Sequence, residues 1–170
     1  MISILVDNQA GVLSRVTGLF SRRGYNIDSL SVGETEDHAL SRITVVVSGD
    51  ERVLEQISKQ VKKLIDCREL IELRSDSSVY RELALIKIAG KASDRSEIFG
   101  IVEIFRANII DVSAESVTVE ITGDENKIAA FTELMKPYGI IETARTGLTG
   151  LQRGGDSLKG GFIEKKDNGP

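Results

Sequence analysis

Apolar positions along the chain change period in a set order. "ISILVD", residues 2–7, alternates with period two, as a half-buried strand does. Val12, Leu13, Val16, Leu19 and Phe20 then recur at spacings of three and four, which puts them on one face of a helix. Gly24 is placed to close that helix. "YNIDSLSVG" and "ALSRITVVVSG" are rich in β-branched residues and are joined by the polar run "ETEDHA", which predicts a hairpin with a longer loop. A second helical stripe comprises Val53, Leu54, Ile57, Val61, Leu64 and Ile65, and "CRELIEL" predicts a closing strand.

The same order returns in the second half. "ELALIKI" reads as a strand, and Ile98, Ile101, Val102 and Phe105 form a helical stripe opened by the capping-type residues of "SDRSE". "NIIDVS" and "SVTVEITG" pair as strands; Ile128, Phe131, Leu134 and Met135 share a helix that stops at Pro137, and "IIETART" is the last strand. "SGDERVLEQI" resembles "TGDENKIAAF" at an offset of 123 − 49 = 74, whereas "NID" matches "IID" at 111 − 28 = 83, so the second hairpin is expected to be nine residues shorter. The fold class is therefore α+β, with two ferredoxin-like βαββαβ domains in tandem. The expected boundaries are 1–76 and 77–150, with the seam in "RSDSSV" (74–79) and a mobile, Gly- and charge-rich tail over 151–170.

Composition excludes several functions. The 22 Lys and Arg against 26 Asp and Glu leave a net charge of −4, which offers no long-range attraction to nucleic acid or an anionic membrane. No apolar run approaches the roughly 20 residues of a bilayer span, and no basic leader follows Met1. With one cysteine, Cys67, neither an intrachain disulfide nor a thiol metal cluster can form, which fits a reducing interior such as the cytosol. His38, the one histidine, falls in the polar hairpin and reads as solvated; Cys67 reads as a small buried residue. The charge pairs Arg22–Arg23, Lys62–Lys63 and Lys165–Lys166 read as surface, and the carboxylates show no metal-ligand spacing. Nothing resembles a catalytic constellation or a nucleotide-binding glycine motif, so no catalytic residue and no metal site is assigned.

The junction "DNQAGV" carries the candidate chemistry. A helix N-terminus leaves four backbone N–H groups unpaired and carries roughly half a positive charge. Asn8 can cap that helix or offer its amide to a ligand, and Gly11, lacking Cβ, admits a group close to the backbone. Two readings stand on these residues: a simple cap and turn, or a cradle for a small carboxylate.

"NQAGVLSRVTGLFSRRGYNIDSLSVG", with "LSRITVVVSGD", "RELALIKI", "IFRANIIDVS" and "ARTGL", resembles the regulatory small subunit of acetohydroxyacid synthase, also called acetolactate synthase, over nearly the whole chain. The resemblance implies that the first half is an ACT domain, which pairs with a second copy to form amino-acid sites. It implies a chain without an active site that activates a separate catalytic subunit, itself dependent on thiamine diphosphate, Mg²⁺ and FAD. It further implies feedback inhibition by valine, or by leucine or isoleucine. Carried over, the effector positions are Asn8, Ala10, Gly11, Val12, Leu13, Asn26 and Ile27, with Ser14 at a position linked to feedback sensitivity. The expected setting is the cytoplasm, or a plastid stroma for an organelle-encoded chain. A free-standing amino-acid sensor acting on another enzyme or on a transcription factor is the alternative on the same fold.

Overall fold

Strand β1 (Ile2–Asp7) is followed by α1 (Val12–Arg22), β2 (Ile27–Glu34), β3 (Leu40–Val47), α2 (Glu51–Val61) and β4 (Cys67–Glu72). The computed structural model describes residues 1–155, 157 and 158. These elements lie in a unit comprising Met1–Val79 together with the described residues from Gly150 onward. Their strands form an antiparallel sheet in the order β2-β3-β1-β4. The alternating apolar positions of β1 (Ile2, Ile4, Val6) turn to one face, where Val16 and Phe20 of α1 and Ile57 and Val61 of α2 cover them. Each such side chain contributes about 1.5–3 kcal/mol by leaving water. Helix α1 ends as the sequence predicts. Gly24 takes φ +71, and the N–H groups of Gly24 and Tyr25 donate to the carbonyls of Ser21 and Phe20, consuming two otherwise orphaned acceptors. Asp50 caps α2 by accepting from the Val53 N–H at 2.9 Å. The predicted stripe overruns here, because the helix stops at Val61; the chain turns, Leu64 still packs on the core, and Ile65 is left 90 % exposed.

The second unit, Tyr80–Thr149, repeats the order. Its elements are β5 (Ser78–Ala89), α3 (Arg95–Ile104), β6 (Asn108–Val112), β7 (Ser116–Gly123), α4 (Glu125–Met135) and β8 (Ile140–Arg145), in the sheet order β6-β7-β5-β8. Ile86, Ile88, Val119 and Ile121 meet Ile98, Val102, Ile128 and Phe131 in its core, where Phe105 and Phe131 pack edge to face at 5.4 Å.

Several expectations change. Strand β5 begins at Ser78, inside the predicted seam. No side chain caps α3: Ser93 Oγ donates to the Asp94 carboxylate instead, and Arg95 straps the carbonyls of Gly90, Ser113 and Ala114. Pro137 sits in a single 3₁₀ turn, Lys136–Tyr138, that follows α4, and Leu134 is 47 % exposed rather than in the core. Leu30 pairs with Val45, and Ile109 with Val119, separations of 15 and 10, so the second hairpin is five residues shorter, not nine. The "NID"/"IID" likeness misaligned β2 and β6 because strand register is set by cross-strand pairing and not by short identities. Within the expected tail, Leu151 and Gln152 belong to strand β9 (Thr149–Gln152), which pairs with β5, and the Arg153 N–H donates to the Ser77 carbonyl. Residues 156 and 159–170, including Lys165 and Lys166, lie outside the described residues.

Candidate effector site at the start of the first helix

Between β1 and α1 the backbone folds back on itself. The Gln9 N–H donates to the Asp7 carbonyl, the Val12 N–H to the Gln9 carbonyl, and the Arg15 N–H to the Gly11 carbonyl. Gly11, at φ +86 and ψ −12, is the residue that starts the helix, and no side chain caps it. A left-handed turn at this point is natural for glycine and strained for other residues. Helix geometry gives the N–H groups of Leu13 and Ser14 no intrahelical acceptor, so they remain outward-facing donors.

Asn8 is not the cap. Its Nδ2 donates to Glu34 Oε1 at 3.0 Å and to the His38 carbonyl at 2.9 Å, while its Oδ1 accepts from Ser41 Oγ at 3.0 Å. Both donors are therefore engaged within the chain. The Asn8 backbone N–H adds a bond to the Ala39 carbonyl at 2.7 Å. Asn8 thus ties the end of β1 to the β2–β3 hairpin and fixes the approach to Gly11. His38, 90 % exposed, places Nδ1 2.9 Å from the other Glu34 oxygen. That contact first, and Asn8 second, hold the Glu34 carboxyl below its ordinary range.

The other expected residues divide. Ala10, Gly11, Leu13 and Ser14 are exposed around the helix start, whereas the Val12 side chain is buried in the core. Ile27 packs against the core, and Asn26 is exposed, donating to Asp28 at 2.8 Å. Asn8 contacts Glu34, at the end of β2, while Asn26 immediately precedes its start. At about 3.3 Å per residue, the eight residues of β2 set them roughly 25 Å apart. One chain therefore does not bring Asn8 and Asn26 together.

Two further groups at this site escaped the sequence reading. Arg15, one turn into α1, donates Nε and Nη2 to Asp66 at 2.7 and 2.9 Å. Its Nη1 lies 3.2 Å from where a Cβ on Gly11 would stand. The guanidinium thus spreads beside the helix start with an amino group not taken by Asp66. The pairing raises the Arg15 pKa and holds the Asp66 carboxyl low. Arg15 is visible in the sequence, but its partner is 51 residues away and gives no local signal. Backbone donors and a fixed guanidinium suit a carboxylate, and the Glu34 carboxylate nearby suits an ammonium. Among the described residues no group of three or more His, Cys, Asp or Glu could hold a metal. Burial first, and Glu69 second, push the half-buried Cys67 thiol up, away from the thiolate. No helix among the described residues is long and apolar enough to cross a membrane.

Residues 2–69 match the family described as "AHAS small subunit-like ACT domain", and residues 81–154 match "Small subunit of acetolactate synthase". A probable acetolactate synthase small subunit of Archaeoglobus fulgidus is 52 % identical, covering 90 % of this chain and 96 % of that protein. The chain belongs to the acetolactate synthase small-subunit family. The Bacillus subtilis small subunit is 51 % identical over 91 % of this chain and 90 % of its own. The crystal structure of the Thermotoga maritima small subunit superposes with a TM-score of 0.84 at 43 % identity, covering 91 % of this chain and 97 % of that one. The ACT match begins with β1 and runs into β4, so the junction around Gly11 lies within the ACT domain of this small-subunit chain.

Proposed function

We propose that this chain is the non-catalytic regulatory subunit of acetolactate synthase, activating a separate catalytic subunit and making it sensitive to valine or another branched-chain amino acid. The thiamine diphosphate, Mg²⁺ and FAD of the reaction belong to that partner. The observation that carries the reading is the separation of Asn8 from Asn26 along β2. Strand β2 lies at the edge of its sheet, where a second chain can extend the sheet by strand pairing. If it pairs antiparallel with its copy about a two-fold axis, the partner's strand start comes beside the first chain's Gly11 junction. Each effector site then combines one protomer's Asn8, Ala10, Gly11, Val12 and Leu13 with its partner's Asn26 and Ile27, and a symmetric dimer holds two equivalent sites. The amino acid's carboxylate takes the Leu13 and Ser14 N–H groups and Arg15, and its short branched side chain lies between the copies. Valine inhibits because it binds the activating and inhibitory arrangements of the complex unequally; a coupling of about 1–3 kcal/mol suffices. The half-buried Cys67 thiol suits a reducing compartment such as the cytoplasm.

Calorimetric titration with valine, leucine and isoleucine, on the purified chain and again with the catalytic subunit present, tests the reading. One effector molecule bound per protomer, with inhibition over the same concentration range, is expected. No binding in either setting refutes it.

A further inference from the structure

The second unit contains a groove of about 300 Å³ that the effector reading does not use. Its floor is apolar, made by Ala84 and Ile86 of β5 and Ile128 and Ala129 of α4. Its rim is polar: Thr143 and Arg145 of β8 face Thr132 and Glu133 of α4, with Lys136 just beyond the helix. The volume is at the small end for ligand sites.

Strands β5 and β8 pair as far as Ala84 and Arg145. Small side chains at Ala84 and Ala129 leave space between this end of the sheet and α4, so the groove reaches core residues that are 1–2 % exposed.

Arg145 is held at the rim. Its Nε and Nη2 engage the two oxygens of Glu82, which is 4 % exposed, and Glu82 Oε1 also accepts the Gly147 N–H at 3.1 Å. A buried carboxylate satisfied in this way fixes the guanidinium before any ligand arrives and leaves the Nη1 amino group uncommitted to Glu82. Lys136, just past the end of α4, pairs with Glu133, so the rim carries two ion pairs, Arg145–Glu82 and Lys136–Glu133.

We infer that this groove is a second small-molecule site, distinct from the Gly11 junction, for a monocarboxylate with a short branched apolar tail. The carboxylate meets Arg145, and the tail rests on Ala84, Ile86, Ile128 and Ala129. The chemistry is shared by branched amino acids and by the matching oxo or fatty acids. The site lies wholly within the second unit.

The test uses the full chain, labelled with ¹³C at the Ile δ1 and Ala methyls, titrated with isovalerate and separately with valine. Isovalerate should produce saturable shifts at Ile86, Ile128, Ala84 and Ala129 while Ile4 and Ile43 in the first unit stay unmoved. The uncharged isovaleramide should bind at least about tenfold more weakly, a loss of about 1.4 kcal/mol. Ala129→Phe, at an exposed helix position, should fill the groove and abolish the response with the remaining spectrum preserved. A valine response at the same methyls assigns the groove to amino acids, and a response to isovalerate alone assigns it to the oxo or fatty acids; both support the site. No saturable shift below about 20 mM, equal binding of the amide, or an undiminished response in Ala129→Phe overturns it. The Ile4 and Ile43 methyls report on the first unit separately, so failure here is distinguishable from failure of the effector reading.

Discussion

Substituting Gly11 separates backbone strain from ligand chemistry. Its φ of +86 costs a residue with a Cβ about 1–2 kcal/mol. The new Cβ would stand 3.2 Å from Arg15 Nη1, the end of a long side chain that Asp66 restrains but does not immobilise, so a shift of a few tenths of an ångström relieves the contact. Gly11→Ala should therefore lower Tm by roughly 5–15 °C. Gly11→Asp tolerates the left-handed conformation better and places a carboxylate beside Arg15 and the open N–H groups, recovering about 0.3–1 kcal/mol from the helix terminus. Asp should accordingly be no less stable than Ala. Their response to valine should run the other way. Bound at about 100 times its Kd, valine stabilises the folded protein by about 2.7 kcal/mol; Gly11→Ala should keep a measurable valine-dependent rise in Tm, and Gly11→Asp, which fills the carboxylate position itself, should lose it. Thermal unfolding with and without valine, together with inhibition of the reconstituted enzyme, measures both effects. An Asp variant that retains the full valine-induced rise, or an Ala variant that loses it just as completely, refutes the assignment of the ligand's carboxylate to this turn.

Two further outcomes follow from the same geometry. Asn8→Ala and Asn26→Ala should each abolish effector binding alone, yet heterodimers formed by refolding the two variants together should regain one site of two, because all the damage then falls on the other; calorimetric stoichiometry reads this, and no recovery argues against a site shared across protomers. The Asp66 carboxyl, held low by Arg15, is more acidic folded than unfolded, so its contribution is complete above about pH 4, the ordinary aspartate range, and is lost as pH falls through the lowered folded value. Asp66→Asn should flatten that part of the acid limb in denaturation measured against pH, and an unchanged limb would show that the pair contributes nothing.

How much could be read in advance depended on how far each property reaches along the chain. Strand and helix periods are local, so the eight main strands, four helices and their duplication were legible, as was Gly24 at the end of α1. The Gly11 junction was legible as a candidate because the change from strand to helix period marks a helix N-terminus with open N–H groups, and a glycine there leaves the backbone approachable. Properties that depend on partners far along the chain were not legible. Asn8 offers the same amide whether it caps a helix or ties down a hairpin, and only the approach of Glu34, His38 and Ser41, 26 to 33 residues away, decided for the hairpin. Ser93 and Asp94 have capping chemistry, yet they bond to each other and leave α3 without a side-chain cap.

By itself, the order of apolar and polar residues determined the topology of both units and pointed to the turn at Gly11, because backbone geometry ties each period to one kind of element and a glycine at a helix start leaves the backbone approachable. Tertiary structure alone decided the pairing register that corrects the second hairpin, the charges fixed beside Gly11 and Ala84, and the distance between Asn8 and Asn26. Those properties arise where segments remote in the chain meet, and no local pattern encodes which groups will face each other there.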